Sequence, residues 1–325
     1  MKKAAIIVVN WNGRKFLKNC FNSVFKQTYK NFEVYFVDNG SVDDSSNYVK
    51  TYFPKVNIIQ LDRNYGFAKG NNEGIRESFK DKKVEYIVCL NNDTIVDKNW
   101  LKELVKTAEK DKKIGAVGSK ILFFYDKNKI NSLGIIPLKN GNALNLSKNM
   151  ESNKFEEEIK IFGPCGASAL YKRNALDKIG LFDEKYFCYL EDVDLAWRIN
   201  LAGYKSILNP KSVVFHIHSG TSSNYNSLKE YLITRNSLYN LIKYSDLMDV
   251  AFYPFNMVRY YNLFKEKKSM KSEVMSISKK RFFANFIVSL FYLLIHLPNL
   301  INSRSKNKTF IKQNFEDINK FFIYN

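Results

Sequence analysis

The sequence predicts an α/β protein: a mostly parallel, doubly wound central sheet with flanking helices, followed by a helical carboxy-terminal region. In the first 110 residues, short apolar runs alternate four times with helical patterns. A polar turn rich in Asn, Asp or Gly follows these apolar runs. From about residue 227 the chain becomes helical, aromatic and basic. We therefore predict a first domain at residues 1–225 and a second region at residues 226–325.

The apolar runs predict four strands, and the patterns between them predict helices. Strands are predicted at residues 4–9, 32–37, 56–61 and 84–90. Helices are predicted at residues 16–25, from a cap at Ser41 or Asp43 to about Tyr52, from the Gly/Asn-rich segment at residues 64–74 to about Lys80, and at residues 100–109. The later pattern is less regular. It predicts one or two strands within residues 116–124, a mobile loop or insertion over the site at 126–160, a strand reaching Tyr171, a helix near Glu191 and a strand ending near His216.

Polar side chains follow each of the four predicted strands, namely Asn10, Asp38, Asn64 and Asp93. Because the carboxyl ends of parallel strands meet at one edge of a sheet, we expect these residues to converge there, where ligands bind in open α/β sheets. Each cluster alone could be a simple turn. Their convergence favours a ligand site in which Asp93 holds a divalent cation and Asn92 adds a polar contact.

Three carboxylates lie within four residues at Glu191, Asp192 and Asp194. At the start of a helix they complement the helix dipole, which is the structural explanation. Beside a cation and phosphates, a carboxylate is also suited to act as a general base. Tyr189 and Trp197 could stack on a sugar ring, although core packing is the commoner use of such aromatics.

Two of the three histidines, His216 and His218, lie at the end of a predicted strand. This position favours a metal ligand, with His216 preferred and His218 as the alternative. The segment containing Gly66 and Asn71 lets the backbone approach a ligand closely. It is neither a Walker loop nor a dinucleotide fingerprint.

The charge balance is strongly basic, with 51 Lys and Arg against 32 Asp and Glu, a net charge of +19. An anionic partner is therefore expected, either a phosphorylated substrate or an anionic lipid surface. The sequence has no zinc-knuckle spacing or arginine-rich run, so we predict no nucleic-acid partner. Four cysteines without paired spacing predict reduced thiols and a cytoplasmic protein. The apolar run after Lys3 is too short for a signal peptide and is predicted as the first strand.

Thirteen of the 16 residues at 282–297 are apolar. As a helix this stretch is about 24 Å long, short of the roughly 30 Å hydrocarbon core of a bilayer, and Pro298 limits its extension. With basic residues on both sides, it predicts an interfacial or re-entrant helix, which would place the protein peripherally or monotopically at the inner face of the cell membrane. A membrane span and a core helix of a homo-oligomer are the alternatives.

Taken together, the motifs resemble those of family 2 glycosyltransferases, and most closely the rhamnosyltransferase-like enzymes of surface polysaccharide synthesis. The resemblance covers roughly residues 1–225. It rests on Ile7-Val8-Val9-Asn10-Trp11-Asn12, Val37 to Asp43, Asn64 to Gly74, Leu90-Asn91-Asn92-Asp93-Thr94, Gly163 to Arg173, Phe182-Asp183-Glu184 with Glu191-Asp192-Val193-Asp194, and His216.

The resemblance implies a GT-A fold and an inverting, metal-dependent transfer of one sugar. The donor would be a nucleotide-diphosphate sugar, dTDP-rhamnose or a UDP-sugar, and the acceptor a glycan or lipid-linked glycan. Asp38 would contact the base or ribose, Asp93 and His216 would hold Mn²⁺ or Mg²⁺, and Asp192 would be the base with Glu191 beside it. Further nucleotide contacts are expected from Asn10, Asn64, Gly66, Asn71 and Asn92, and sugar or acceptor contacts from Tyr189, Asp194 and Trp197.

The sequence departs from the family pattern in two places. The metal cluster has a single Asp, Asp93, which predicts modest cation affinity. The Gln-x-x-Arg-Trp signature of processive synthases is absent, which favours addition of a single sugar. A nucleotidyltransferase is disfavoured because Asn10-Trp11-Asn12-Gly13 is not a Gly-rich basic loop. A catalytically silent binding relative is disfavoured because Asp93 and Asp192 are both present.

Overall fold

The computed structural model describes residues 1–217, 226–245, 252, 253, 255 and 279–321. The chain divides into two compact units. The first comprises residues 1–135 and 145–224, and the second comprises residues 136–144 and 225–325. The domain boundary predicted at residue 225, like His218, lies outside the described residues.

The first half of the first unit has the predicted alternation of strands and helices. Its elements are β1 (Lys3–Asn10), α1 (Arg14–Phe25), β2 (Phe32–Asn39), α2 (Ser45–Tyr52), β3 (Asn57–Leu61), α3 (Gly66–Ser78) and β4 (Val84–Asn91). These four strands are parallel and lie in the order β4-β1-β2-β3. Because β1 and β2 are in register, Asn10 lies directly opposite Asp38 at the carboxyl edge.

The second half extends the same sheet with mixed strand directions. Its strands are β5 (Thr94–Val96), β6 (Ile114–Phe123), β7 (Ile130–Ser132), β8 (Ile135–Pro137), β9 (Ala143–Asn145), β10 (Ile159–Ile161), β11 (Ser168–Lys172) and β12 (Lys205–His216), and its helices are α4 (Trp100–Glu109), α5 (Arg173–Ile179) and α6 (Glu191–Leu201). The main path of the sheet is β10-β12-β6-β11-β4-β1-β2-β3, while β8 and β9 pair separately. The mostly parallel α/β fold is thus confirmed, with β11 inserted antiparallel between β4 and β6.

Alternating residues of the central strands supply two separate cores, because successive side chains of a strand point to opposite faces. Ile6 and Val8 of β1 pack into one core, and Ala5 and Ile7 pack into the other. The strands are buried on both faces, which explains why their sequences are continuous apolar runs.

Two predicted loops are folded elements instead. The Gly/Asn-rich segment is not a loop leading into a helix, because α3 already begins at Gly66. Residues 126–160 contain β7, β8, β9 and a 3-10 helix at Ser152–Lys154, and Ile130 and Leu133 are fully buried. The expectation of a mobile loop is therefore wrong for this stretch. Its few apolar residues are spaced for short antiparallel strands, which carry little periodic signal.

The second unit contains α7 (Asn226–Tyr244) and the long helix α8 (Lys279–Asn319), which pack against each other. Pro298 lies inside α8, so it does not end the helix as expected. A proline in a helix removes one backbone hydrogen bond, and flanking turns can tolerate that loss. Within α8, Arg281–Ser305 is long and apolar enough, by length and composition, to cross a membrane.

Candidate active site

The carboxyl ends of β1 and β4 are joined through two buried amides. Asn92 Nδ2 donates to Asn10 Oδ1 at 2.7 Å, and Asn10 Nδ2 donates to Ser41 Oγ at 3.1 Å. The Ser41 hydroxyl also accepts the backbone N–H of Asn12 at 2.9 Å. Ser41 therefore links the turns after β1 and β2, and the structure brings Asn10 and Asn92 together as expected from strand order. Ser41 was considered only as a helix cap, because its partners lie about 30 residues away.

Asp38 lies beside this amide pair and is 2% exposed. Its Oδ1 accepts the backbone N–H of Ser41 at 3.1 Å, and its Oδ2 accepts the hydroxyl of Ser46. The carboxylate is therefore held rigidly in its ionised form, because hydrogen bonds to the charged form favour it. Each oxygen can accept a further hydrogen bond from a ligand.

The turn after β3 is organised by another pair of amides. Asn64 Oδ1 accepts from Asn39 Nδ2 at 3.0 Å and from the backbone N–H of Gly66 at 2.8 Å. Gly66 has a φ of +86°, and a Cβ there would lie 2.4 Å from the carbonyl oxygen of Phe187. Asn71 donates to the Phe67 carbonyl within α3 at 2.9 Å. Asn64 thus lies at the predicted edge, whereas the amide N–H of Asn71 is used inside its own helix.

Asp93 and His216 are brought together by the hairpin-like turn after β4. That turn sends β5 back along β12, where Thr94 lies opposite His216. His216 Nε2 is 3.2 Å from Asp93 Oδ1, and both residues are buried. On the other side of the ring, His216 Nδ1 is 3.1 Å from Asn131 Oδ1. Strand pairing therefore joins two predicted metal ligands that lie far apart in sequence.

The donor set of this pair fits a divalent cation. Two ligands at right angles on an ion with bonds of about 2.1 Å lie about 3 Å apart, close to the distance between His216 Nε2 and Asp93 Oδ1. With Asn131 Oδ1 accepting from Nδ1, the lone pair of Nε2 faces the carboxylate, as in metal sites whose histidine is oriented by a second residue. Within the described residues, no group of three or more His, Cys, Asp or Glu could hold a metal. A bound cation would therefore take its remaining ligands from substrate phosphates and water.

Asp192 lies in the first turn of α6 and is held by two backbone donors. The N–H of Gly166 donates to Oδ2 at 2.9 Å, and the N–H of Val193 donates to Oδ1 at 2.9 Å. Glu191 is 6% exposed, and its Oε2 is buried with no hydrogen-bond partner. Burial raises the pKa of both carboxyls, and the charge of Asp192 raises that of Glu191 further. Because only Asp192 has these donors, we assign the shared proton to Glu191 and the charge to Asp192.

A backbone connection joins the base to the strand that carries the cation pair. The N–H of Asn91, the last residue of β4, donates to the Ala167 carbonyl at 3.0 Å, and the neighbouring Gly166 donates to Asp192. A Cβ on Gly166 would lie 3.3 Å from Asp192 Oδ2. Sequence reasoning identified Gly166 as part of a small-residue turn but not as the donor to Asp192. The need for a small residue beside the carboxylate was the signal that could have found it.

The predicted sugar and acceptor residues are placed mostly in the core. Asp194 is fully buried and pairs with Arg198, whose Nη2 lies 2.7 Å from Oδ2. Trp197 is 5% exposed and packs edge-on against Phe162. Tyr189 is half-buried and has a φ of +70°. Asp194 and Trp197 therefore stabilise α6, and the structure places neither at an accessible surface.

We predict that Gly13→Ala weakens nucleotide binding about tenfold or more. A Cβ at Gly13 would lie 2.2 Å from Asn92 Nδ2 and 2.5 Å from Asn10 Oδ1, so the methyl group must separate the two amides. Overpacking of this kind costs about 1–3 kcal/mol. Gly115→Ala is the matched control, because its Cβ would lie 2.8 Å from Tyr204 Cβ at the other end of the sheet. Titration with nucleoside diphosphates should separate the two variants, and equal affinities would exclude a role for the amide pair.

Comparison with known proteins identifies the class. Residues 5–180 match the family described as "Glycosyl transferase family 2". The chain belongs to this family and is a glycosyltransferase. Its fold is GT-A, as expected from the resemblance.

Three solved structures share this fold at low identity. GalNAc-T7 with UDP, GalNAc and Mn²⁺ gives a TM-score of 0.61 at 17% identity, covering 89% of this chain and 57% of that one. The mannosyltransferase PcManGT from Pyrobaculum calidifontis with GDP-Man and Mn²⁺ gives 0.57 at 16%, covering 95% and 85%. S. aureus TarS 1-349 gives 0.54 at 17%, covering 99% and 93%. Two of these neighbours were thus crystallised with Mn²⁺ and a nucleotide or nucleotide-sugar.

Curated relatives are polysaccharide synthases. The poly-beta-1,6-N-acetyl-D-glucosamine synthase of Staphylococcus aureus is 26% identical over 224 residues, which is 64% of this chain and 51% of the synthase. The synthase of the same name from Staphylococcus epidermidis is 23% identical over 212 residues, covering 64% and 48%. The chain therefore spans about half the length of the curated relatives it matches. The rhamnosyltransferase-like branch stays a prediction.

Proposed function

We propose that this protein is an inverting, divalent-metal-dependent glycosyltransferase. It moves one sugar from a nucleotide-diphosphate sugar to a hydroxyl of a glycan or lipid-linked glycan in surface polysaccharide synthesis. One observation carries the proposal: two carboxylates in different chemical states lie at the same sheet edge. Asp93 is paired with His216, whereas Asp192 is held by backbone N–H groups connected to the end of β4.

On the donor side, the chain provides a polar cradle for the nucleotide and a cation pair for the phosphates. Asp38 and Asn64 are the candidates for the base and ribose, and Asn10 and Asn92 line the turn between β1 and β4. Asp93 and His216 would hold Mn²⁺ or Mg²⁺. A divalent cation there offsets the negative charge that develops on the leaving diphosphate.

On the acceptor side, Asp192 takes the proton of the attacking hydroxyl. The hydroxyl oxygen forms a bond to the anomeric carbon while the bond from that carbon to the diphosphate breaks. Attack opposite the leaving group inverts the configuration. The N–H groups of Gly166 and Val193 keep Asp192 ionised, and Glu191 retains its proton. Two neighbouring carboxyls with different proton occupancy are typical of acid–base sites.

The donor is proposed to be dTDP-rhamnose or a UDP-sugar. The UDP of one structural neighbour and the GDP-Man of another support a nucleoside-diphosphate leaving group. The absence of Gln-x-x-Arg-Trp from the sequence supports addition of one sugar. The test is incubation with each nucleotide-sugar, Mn²⁺ and a cell-envelope glycolipid extract, followed by NMR of the product. Transfer with the opposite anomeric configuration supports the proposal, and a product with retained configuration contradicts it.

We propose an anionic membrane surface as the partner of α8, at the cytoplasmic face of the cell membrane. Phe282, Leu293 and Leu300 of α8 are buried. Other large apolar side chains of the helix are exposed, namely Phe283, Ile287, Val288, Leu290, Phe291, Leu294, Ile295, Leu297 and Ile301. Lys279, Lys280 and Arg281 precede them in the sequence. An apolar face with flanking cations is typical of a helix at an anionic bilayer.

We predict that Leu294→Asp with Ile295→Asp releases the protein from vesicles containing anionic lipid. Both side chains are exposed, at 63% and 76%, so charges there oppose insertion without disturbing the buried side of α8. Val42→Asp, at a 91% exposed position of the first unit, is the control. Flotation should retain the control in the lipid fraction and lose most of the double variant. Flotation of both variants, or a lipid-free homo-oligomer that the double variant dissociates, would contradict a membrane partner.

A further inference from the structure

The tip of the β6–β7 hairpin carries an exposed pair of aromatic rings, Phe124 and Tyr125. Tyr125 is 82% exposed, and its ring centroid lies 5.0 Å from that of Phe124 at an interplanar angle of 86°. A single exposed ring on a protein surface needs no explanation. What distinguishes this pair is its place beside the candidate active site.

Backbone hydrogen bonds fix that place. The N–H of Phe124 donates to the carbonyl of His216 at 2.9 Å, and the N–H of Ile217 donates to the carbonyl of Asp93 at 3.0 Å. Phe124 therefore lies one strand away from His216 and two strands away from the turn that carries Asp93. The aromatic pair begins immediately after β6, at the same sheet edge as the cation pair.

The hairpin tip is itself anchored at both ends. The N–H of Phe123 donates to the Lys129 carbonyl at 3.1 Å, and the N–H of Lys129 donates to the Asp126 carbonyl at 3.0 Å. The ammonium of Lys127 lies 5.2 Å from the ring centroid of Phe215 on β12. These contacts present Tyr125 on a closed turn, which reduces the entropy that a bound ligand would have to remove.

The hairpin also lies on the side of the site away from the nucleotide. The candidate nucleotide residues follow β1, β2 and β3, on one side of β4, whereas β6 and β12 lie on the other side beyond β11. An in-line displacement requires the acceptor to approach opposite the leaving diphosphate. This step rests on the proposed function, and it places the β6–β7 hairpin on the acceptor's side.

We propose that Tyr125, supported by Phe124, is a binding platform for a pyranose ring of the acceptor. One face of a pyranose presents C–H groups, which pack on the negatively charged face of an aromatic ring, while its hydroxyls remain in water. A phenol ring that is mostly exposed without ligand gains buried apolar area when a sugar covers it. The acceptor class is therefore a saccharide that reaches the base through its own hydroxyl, as opposed to a lipid phosphate without sugar.

The test is binding of the full-length protein, with UDP or dTDP and Mn²⁺ present, to an array of bacterial oligosaccharides. Tyr125→Ala should weaken saccharide binding about tenfold, and Tyr125→Phe should retain it because the ring is preserved. Tyr52→Ala is the control, since Tyr52 is 64% exposed on α2, and it should bind like the parent. Nucleotide affinity, measured separately, should be the same in all four proteins.

The outcomes separate this proposal from the proposed function. If the parent protein binds nucleotide but binds no saccharide on the array, or if Tyr125→Ala binds saccharides as well as the parent, the platform is excluded while the donor site stands. If the parent fails to bind any nucleotide with Mn²⁺, the proposed function itself is contradicted. Loss of saccharide binding in Tyr125→Phe as well would assign the contact to the phenol hydroxyl and overturn ring stacking.

Discussion

Asp93→Asn is expected to abolish the metal-dependent part of nucleotide binding. Asparagine has the same shape but lacks the charge that would hold a divalent cation beside His216. Loss of residues that merely orient a ligand costs 10–100-fold in metal affinity, so loss of the ligand itself should cost about 100-fold or more. Calorimetric titration of UDP or dTDP, with and without Mn²⁺, measures the effect directly.

The matched control for this prediction is Asp62→Asn. Asp62 is an exposed carboxylate next to the end of β3, at the same edge of the sheet, and it changes the net charge by the same amount. Affinity in the control should still rise when Mn²⁺ is added. A rise of the same size in Asp93→Asn would show that the cation is held elsewhere and would remove the Asp93–His216 pair as the metal site.

Asp192→Asn is expected to lower the turnover number by about 10²–10⁴-fold, the usual contribution of a general base. The amide oxygen can still accept the N–H of Gly166, so the local structure and nucleotide affinity should persist. Transfer rates and nucleotide titrations of the same preparation separate chemistry from binding. Glu191→Gln is the control, because the glutamine resembles the protonated carboxyl that we assign to Glu191. Undiminished turnover in Asp192→Asn would exclude it as the base.

The pH dependence follows from the same pair. Burial raises the pKa of Asp192, so activity should fall on acidification at a higher pH than the ordinary pKa of an exposed aspartate predicts. For Glu191, the raised pKa means that the folded protein holds a proton which the unfolded chain releases. Stability should therefore fall as pH rises from the ordinary glutamate pKa through the raised one. Glu191→Gln should remove this loss, which urea unfolding at several pH values measures.

Local sequence patterns were sufficient for the elements of the parallel half. The helix predicted at residues 100–109 begins and ends as expected, at Trp100 and Glu109, because its apolar spacing is regular and it buries Trp100. The convergence of Asn10, Asp38 and Asn92 follows from strand order alone, since parallel strands end at a common edge.

Contacts set by tertiary pairing could not be predicted in this way. Asn131 reaches His216 across 85 residues, in a stretch whose short strands carry little periodicity. Asp194 was considered for the acceptor because it shares a cluster with Asp192. One helical turn of α6 directs it instead into the core, where Arg198 lies four residues further along the same face. The antiparallel insertion of β11, which supplies Gly166 to Asp192, likewise has no local signal.

The central claim is that this sheet edge binds a nucleoside diphosphate through a divalent cation. The most direct test is the thermal unfolding midpoint with UDP, dTDP, GDP and CMP, each with and without Mn²⁺. Ligand at about 100 times its dissociation constant stabilises a protein by about 2.7 kcal/mol, which shifts the midpoint by about 2–4 °C or less for a chain of this size. The account predicts a shift with UDP or dTDP that requires Mn²⁺ and disappears in Asp93→Asn. No shift with any nucleotide, or a shift independent of Mn²⁺ and Asp93, would contradict it.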